Sequence, residues 1–513
     1  MKKYGIISLV AILGILPVAA QEKPLTWGDQ GNGTYINPIL NSDYSDPDVI
    51  RVGRKYYMVA SDFHFLGMQI LESDDMINWR ILTQVYNRFD FPKWERNERY
   101  AGGSWAPAIR YHAGKFWIYF CTPHEGLFMT SATNPAGPWT PLHLVKEVGH
   151  WEDPCPFWDD DGQAYIGRSR HGAGPIIIHK MSADGRQLLD DGVTVYTGPV
   201  AEGTKIHKRN GYYYLSIPEG GVSRGYQTIL RSKNIYGPYE KKVVLEQGAT
   251  PINGPHQGAM VDTPEGEWWF YHFQRAGALG RVVHLQPMYW QDNWPVIGVD
   301  IDRNGIGEPV YVWRMPMKSS GICRPQTSDE FEKVELSPQW QWNHNPVDTA
   351  WSLTEHKGNL TLHALPSSAF KLARNTLTQK IMGYESEATI AIDVSHLTEG
   401  GRSGLCCMGK GNEVLGIVHH SQQNFLYRGN DESDMELQKI KSNKIYLRIT
   451  FRIPEKVYRF SYSMDNCTFS DAGEPFFIDY ANWKGVRFGI YHYNTKSNDG
   501  YVVVPWANYE IYK

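Results

Sequence analysis

Gly53-Arg54-Lys55-Tyr56-Tyr57 is a glycine-led turn that runs straight into an aromatic strand, and the pattern returns four times before Asp300. Gly114-Lys115-Phe116-Trp117, Gly162-Gln163-Ala164-Tyr165, Gly211-Tyr212-Tyr213-Tyr214 and Gly266-Glu267-Trp268-Trp269 repeat it at intervals of 61, 48, 49 and 55 residues. That period suits a blade of four short antiparallel strands with its loops rather than a helical repeat. A second landmark, Asn78-Trp79, Gly137-Pro138-Trp139, Gly237-Pro238-Tyr239 and Asn293-Trp294, falls 26, 25, 28 and 28 residues after the glycine of its unit. The third unit offers only the Asp184-Gly185 turn at that place. Two landmarks agreeing in four of five units predict a five-bladed β-propeller.

Within a unit the residues alternate as half-buried strands do, as in Ile109-Arg110-Tyr111-His112 followed by Phe116-Trp117-Ile118-Tyr119-Phe120. The repeat stops near Trp313, where Pro316, Gly321 and Pro325 interrupt any strand pattern. Alternating segments resume in Leu360-Thr361-Leu362-His363-Ala364 and Ile445-Tyr446-Leu447-Arg448-Ile449-Thr450-Phe451. The expected organisation is a propeller over 21–318, a linker over 319–328 and a jelly-roll-like β-sandwich over 329–513.

Composition agrees with an all-β chain: 13% aromatic residues, 21% charged residues, 49 Gly and 30 Pro. A net charge of −4 with both signs interspersed offers no basic stripe, so nucleic acid is not an expected partner. Abundant aromatics suit sugars, whose C–H faces pack on flat rings. Lys2 and Lys3, the apolar run Ile6 to Leu16 and the small residues Val18-Ala19-Ala20 read as a signal peptide over 1–20. Export to the periplasm is the expectation, with secretion as the second choice. No cysteine follows the cleavage point, so no lipid anchor to a membrane is expected. The six cysteines match no disulfide scaffold or zinc motif, and buried free thiols are expected for most.

The first strand of a propeller blade lines the central axis. The residues at its start, seven to ten positions before each turn glycine, are Asp46, Trp105, Asp153, Glu202 and His256. Breaking a glycosidic bond needs two carboxyl groups in different protonation states, one to protonate the departing oxygen and one to activate water or attack. Asp46 precedes Pro47, Glu202 stands beside Gly203, expected to leave room for a ligand, and Asp153 lies on the blade between them. A third carboxylate so placed resists ionising together with the acid. Trp105 reads as a platform for a sugar ring or a core residue; His256 as a carboxylate partner, a metal ligand or a filler of the axis.

Asn37-Pro38-Ile39-Leu40, Asp46-Pro47-Asp48-Val49-Ile50-Arg51-Val52-Gly53, Trp105-Ala106-Pro107, Trp151-Glu152-Asp153-Pro154, Ala201-Glu202-Gly203 and Gly280-Arg281 together resemble glycoside hydrolase family 43. Trp340-Gln341-Trp342-Asn343-His344-Asn345 resembles the sandwich appended to its β-xylosidase and α-L-arabinofuranosidase branch. The resemblance implies an inverting mechanism with Asp46 as general base, Glu202 as general acid and Asp153 as pKa modulator. It implies sugar contacts from Arg281, His256, Phe63 and Trp105. An inverting site leaves about 6.5–9.5 Å between base and acid for the water.

The sandwich of such enzymes sends a loop across the funnel, and Tyr491 to Tyr501, with Asn494, Lys496 and Asn498, is the candidate here. The expected activity is exo-acting release of α-L-arabinofuranose from hemicellulose side chains or oligosaccharides. β-D-xylosidase or dual activity is the alternative; a retaining propeller glycosidase and a silent sugar-binding protein are further readings. No cofactor is required, although the resemblance allows a structural Ca2+. No Asp-x-Asp-x-Asp-Gly loop is present. The partner is an oligosaccharide or polysaccharide, with the oligomeric state left open.

Overall fold

Strand Ser45–Val52 starts the first of five four-stranded antiparallel sheets. The others start at Trp105–His112, Trp151–Trp158, Lys205–Arg209 and Met260–Asp262, and in each the four strands pair in chain order. These are the five blades that the glycine-aromatic turns announce. The computed structural model describes residues 26–91, 94 and 101–512, so the expected signal segment 1–20 lies outside the described residues. Among the described residues there is no α-helix, only three short 3-10 turns.

Each turn glycine does the same local work. Gly53, Gly114, Gly162, Gly211 and Gly266 all have positive φ, which lets a tight hairpin join the first and second strands. The aromatic residues that follow then enter the layers between blades. Tyr214, Phe270 and Met288, for example, share one apolar cluster between the fourth and fifth blades.

The ring is closed by the segment before the first blade. Leu40 bridges Val283 of the fifth blade, Tyr44 N–H donates to Arg281 O, and Thr34–Ile36 pairs with Val312–Arg314. Two seven-stranded sheets follow, beginning at Gln341–Trp342 and Trp351–Ser352, and form the sandwich.

One continuous apolar core runs from Trp79 and Tyr271 of the propeller to Trp340, Phe488 and Leu447 of the sandwich. The Trp340–Asn345 stretch is a docking edge. Leu66 bridges Trp342, His64 Nε2 lies 2.8 Å from Asn343 Oδ1, and Asn345 Oδ1 accepts from Phe89 N–H at 3.0 Å.

Candidate active site

A β-bulge at the start of the first strand aims side chains at the axis. In the first blade Ser45 pairs Ser61 and Asp48 pairs Val59, so Asp46-Pro47 stands opposite Ala60 alone. Trp105/Ala108 and Glu152/Cys155 show the same shift in the second and third blades. Proline suits the extra position because no ladder bond needs its missing N–H. The bulge residue is left-handed in every blade: Asp46 (φ 54°), Ala106 (39°), Asp153 (56°), Gly203 (63°) and Gln257 (42°).

Two rings of residues therefore line the funnel, and the register expected from sequence was a mixture of them. Asp46, Ala106, Asp153, Gly203 and Gln257 form the bulge ring. Ser45, Trp105, Glu152, Glu202 and His256 precede them by one residue and form the second ring. The correction puts the two aspartates at equivalent positions and gives Glu202 a different equivalent, Glu152.

The bonding repeats with the same symmetry. Ser61 Oγ donates to Asp46 Oδ2 at 2.6 Å, and Ser169 Oγ donates to Asp153 Oδ2 at 2.6 Å. Asp46 Oδ1 accepts from Arg281 Nη1 at 2.7 Å, and Ser45 Oγ donates to Oδ2 at 3.1 Å. Three donors, one of them a guanidinium, surround a carboxylate that is 3% exposed. Arg281 is placed by Asp43, which accepts its N–H at 3.0 Å. A Cβ on Gly280 would meet Asp43 Oδ1 at 2.2 Å, so this contact requires glycine.

Asp153 accepts from Gly203 N–H at 2.8 Å and Gln257 Nε2 at 2.9 Å. The space beside Gly203 is not a ligand pocket as expected: a Cβ there would sit 2.6 Å from Pro218 Cδ. Glycine serves the left-handed turn and frees that N–H for Asp153. His256 Nε2 lies 2.8 Å from Glu202 Oε1, so a proton on Nε2 makes histidine the donor and leaves Oε2 to the pocket.

Glu152, Asp153 and Glu202 bring carboxylate oxygens within 4.8 Å of one another. Burial, and then the charge of Glu202, raise Asp153 to about 6. Burial, then Asp153 and Glu202, push Glu152 up to about 9.

These groups line a cavity of about 280 Å³ together with Phe63, Trp105, His171, Val200 and Trp483. Trp105 donates its Nε1–H to Ala101 O at 2.7 Å, and its ring packs 4.8 Å from His171 and 5.2 Å from Trp483. Arg281 lies 5.7 Å over the Phe63 ring. All seven residues expected from sequence, Asp46, Phe63, Trp105, Asp153, Glu202, His256 and Arg281, thus face one cavity.

The expected covering loop is corrected. Tyr491 and Asn494 are buried in strand Arg487–Asn494, and Lys496 pairs with Glu399 away from the funnel. The sandwich reaches the site instead through Trp483, in a turn closed by the Ala481–Lys484 bridge. Gly485 N–H donates to Asp43 Oδ2 at 3.0 Å, so one buried aspartate fixes both the Trp483 turn and Arg281. Glu152, His171, Gln257 and Trp483 were missed in the sequence. Glu152 and Gln257 each adjoin a residue that was found, and a bulge turns both neighbours inward.

The Glyco_hydro_43 model, glycosyl hydrolases family 43, matches residues 35–295, just over half the chain. The chain belongs to glycoside hydrolase family 43. A beta-xylosidase C-terminal concanavalin A-like domain matches residues 328–510 of this family 43 glycosidase. A putative beta-xylosidase of Xylanibacter ruminicola is 57% identical over 90% of this chain and 87% of its own length. A beta-xylosidase of Formosa agariphila is 36% identical over 94% and 92%. Among solved structures, a mutant of a GH43 protein from Bacillus licheniformis superposes with a TM-score of 0.82 at 25% identity, covering 93% and 100%.

Glu152 also gives this family 43 enzyme a pH signature. Between about 4.5 and about 9 the unfolded carboxyl is ionised while the folded one keeps its proton, so Glu152 weakens the fold as pH rises through that window. Glu152→Gln removes the effect. The variant should melt no higher than wild type near pH 4 and about one to two degrees higher near pH 9, on the order of 1–2 kcal/mol. Parallel melting curves at the two pH values check this; a gap independent of pH contradicts it.

Proposed function

We propose that this glycosidase is an exo-acting, inverting β-D-xylosidase acting on xylo-oligosaccharides. Asp46 is the base that takes a proton from the attacking water. Glu202 is the acid that protonates the departing oxygen, and Asp153 orients and tunes it. The observation that carries the division of labour is the contrast of surroundings. Asp46 is held by a guanidinium and two hydroxyls, whereas Glu202 is held by His256 and has the Glu152 and Asp153 carboxyls within 4.8 Å of its own. Arg281, Phe63 and Trp105 hold the terminal sugar. Trp483 limits the depth of chain that enters, which favours single terminal residues.

The sequence leaned to arabinofuranose. The names of the relatives and of the C-terminal domain support xylose better. Export through segment 1–20 and a site outside the cytoplasm belong to the same proposal.

Rates on matched 4-nitrophenyl β-D-xylopyranoside and α-L-arabinofuranoside test the sugar. At least about tenfold higher kcat/KM on the xyloside is expected, roughly the effect of one or two well-placed contacts. Preference for the arabinofuranoside returns the reading to an arabinofuranosidase. Proton NMR of the first anomer formed from a β-xyloside should show α-xylose; β-xylose overturns inversion.

A further inference from the structure

Glu152 is the pocket carboxyl to which the proposed reaction gives no task. It occupies the same ring as Glu202 on the neighbouring blade, one residue before Asp153. Its side chain lines the cavity and the residue is 8% exposed. Oε1 accepts from Ala173 N–H at 3.3 Å, and Oε2 lies 4.0 Å from His171 Nδ1. His171 stands at the rim, its ring against Trp105 and Trp483.

With Glu202 read as the acid, its carboxyl faces the departing oxygen, and the Glu152 carboxyl lies within 4.8 Å of it in the same ring. The charges facing Glu152 are Asp153, Glu202 and Asp46, all like its own, and Ala173 N–H is its one backbone donor. The balance leaves a protonated carboxyl at neutral pH, able to donate as well as accept. Gln257 is engaged on Asp153 and His256 on Glu202, and Arg281, bound to Asp46, serves the terminal sugar. Recognition of an outer hydroxyl has to come from a different group.

We propose that Glu152, with His171 beside it, forms the leaving-group subsite and hydrogen-bonds a hydroxyl of the departing sugar. It thereby selects sugar leaving groups over hydroxyl-free ones. The proposal rests on the reading of Glu202 as the acid, because that fixes which side of the bond Glu152 faces.

Glu152→Ala should lower kcat/KM on xylobiose about tenfold more than on 4-nitrophenyl β-D-xyloside, the scale of one buried hydrogen bond. Glu152→Gln keeps a donor and an acceptor in the same shape. It should stay within about threefold of wild type on both substrates. Equal losses on the two substrates would mean that Glu152 only supports the loop at Ala173, and would overturn the proposal. So would a glutamine variant that follows alanine on xylobiose. The comparison uses two leaving groups on one sugar, so it does not depend on which pentose is released. If only arabinofuranosides are cleaved, the β-xylosidase reading fails, while an α-L-arabinofuranosyl disaccharide and its aryl counterpart still test Glu152.

Discussion

Asp46→Asn should lower kcat by about 10³-fold or more on every substrate, activated or not, a loss of roughly 4 kcal/mol in transition-state stabilisation. The amide oxygen can still accept from Arg281 and its NH2 can donate to a turned Ser61 hydroxyl, but the amide cannot take a proton from water. Asparagine is also among the few residues that tolerate a φ of 54°, so the fold should persist. Alanine is a fair second variant, because Ala106 already occupies the equivalent left-handed position in the second blade. The check is kcat on xylobiose and on an aryl xyloside, with inhibition by xylose as the measure of intact binding. Loss of more than about tenfold on xylobiose but little on the aryl substrate would remove Asp46 from the role of base, since water must be activated whichever group departs.

Glu202→Ala should show that very dependence on the leaving group. Xylobiose needs its departing alkoxide protonated, and kcat should fall about 10³-fold. A nitrophenolate leaves without help, so its kcat/KM should fall by no more than about tenfold. The alanine also deprives His256 Nε2 of its partner and removes one of three crowded carboxyls. A melting curve separates any effect on stability from the kinetics. Equal losses on the two substrates would remove Glu202 from the role of acid.

The blades were legible because each repeats a turn that only glycine makes easily, followed by aromatic residues that fill the layer between sheets. The acids were legible because they keep a roughly constant distance from those turns. That distance was not constant enough to give the register. From bulge residue to turn glycine it is 7, 8, 9, 8 and 9 residues, because the hairpins at the far end differ in length. Asp159-Asp160-Asp161-Gly162 is one of the longer ones. Counting back from the glycine therefore set Glu202 level with Asp46, although its own partner across the ladder, Pro218, marks it as the equivalent of Ser45.

Trp483 was illegible for another reason. It belongs to no repeat, and its neighbours in space, Phe63 and Trp105, are hundreds of residues away in the chain. The covering loop was instead sought at Tyr491 to Tyr501, where polar residues looked free to reach inward but are consumed by the sandwich itself. Asn494 Nδ2, for instance, donates to Thr398 Oγ1 at 3.1 Å. A side chain can be committed to its own domain without any mark in the local sequence.

The bond from Gly485 to Asp43 has a consequence for how such an enzyme changes over time. Asp43 clamps the two halves of the molecule at the spot where Arg281 is also anchored. Moving the Trp483 turn therefore strains the same aspartate that seats Arg281 on Asp46. Substitutions at this seam thus act on the Trp483 turn and on the seat of Arg281 together. Reach of the chamber and seating of the base are thus inherited as one trait.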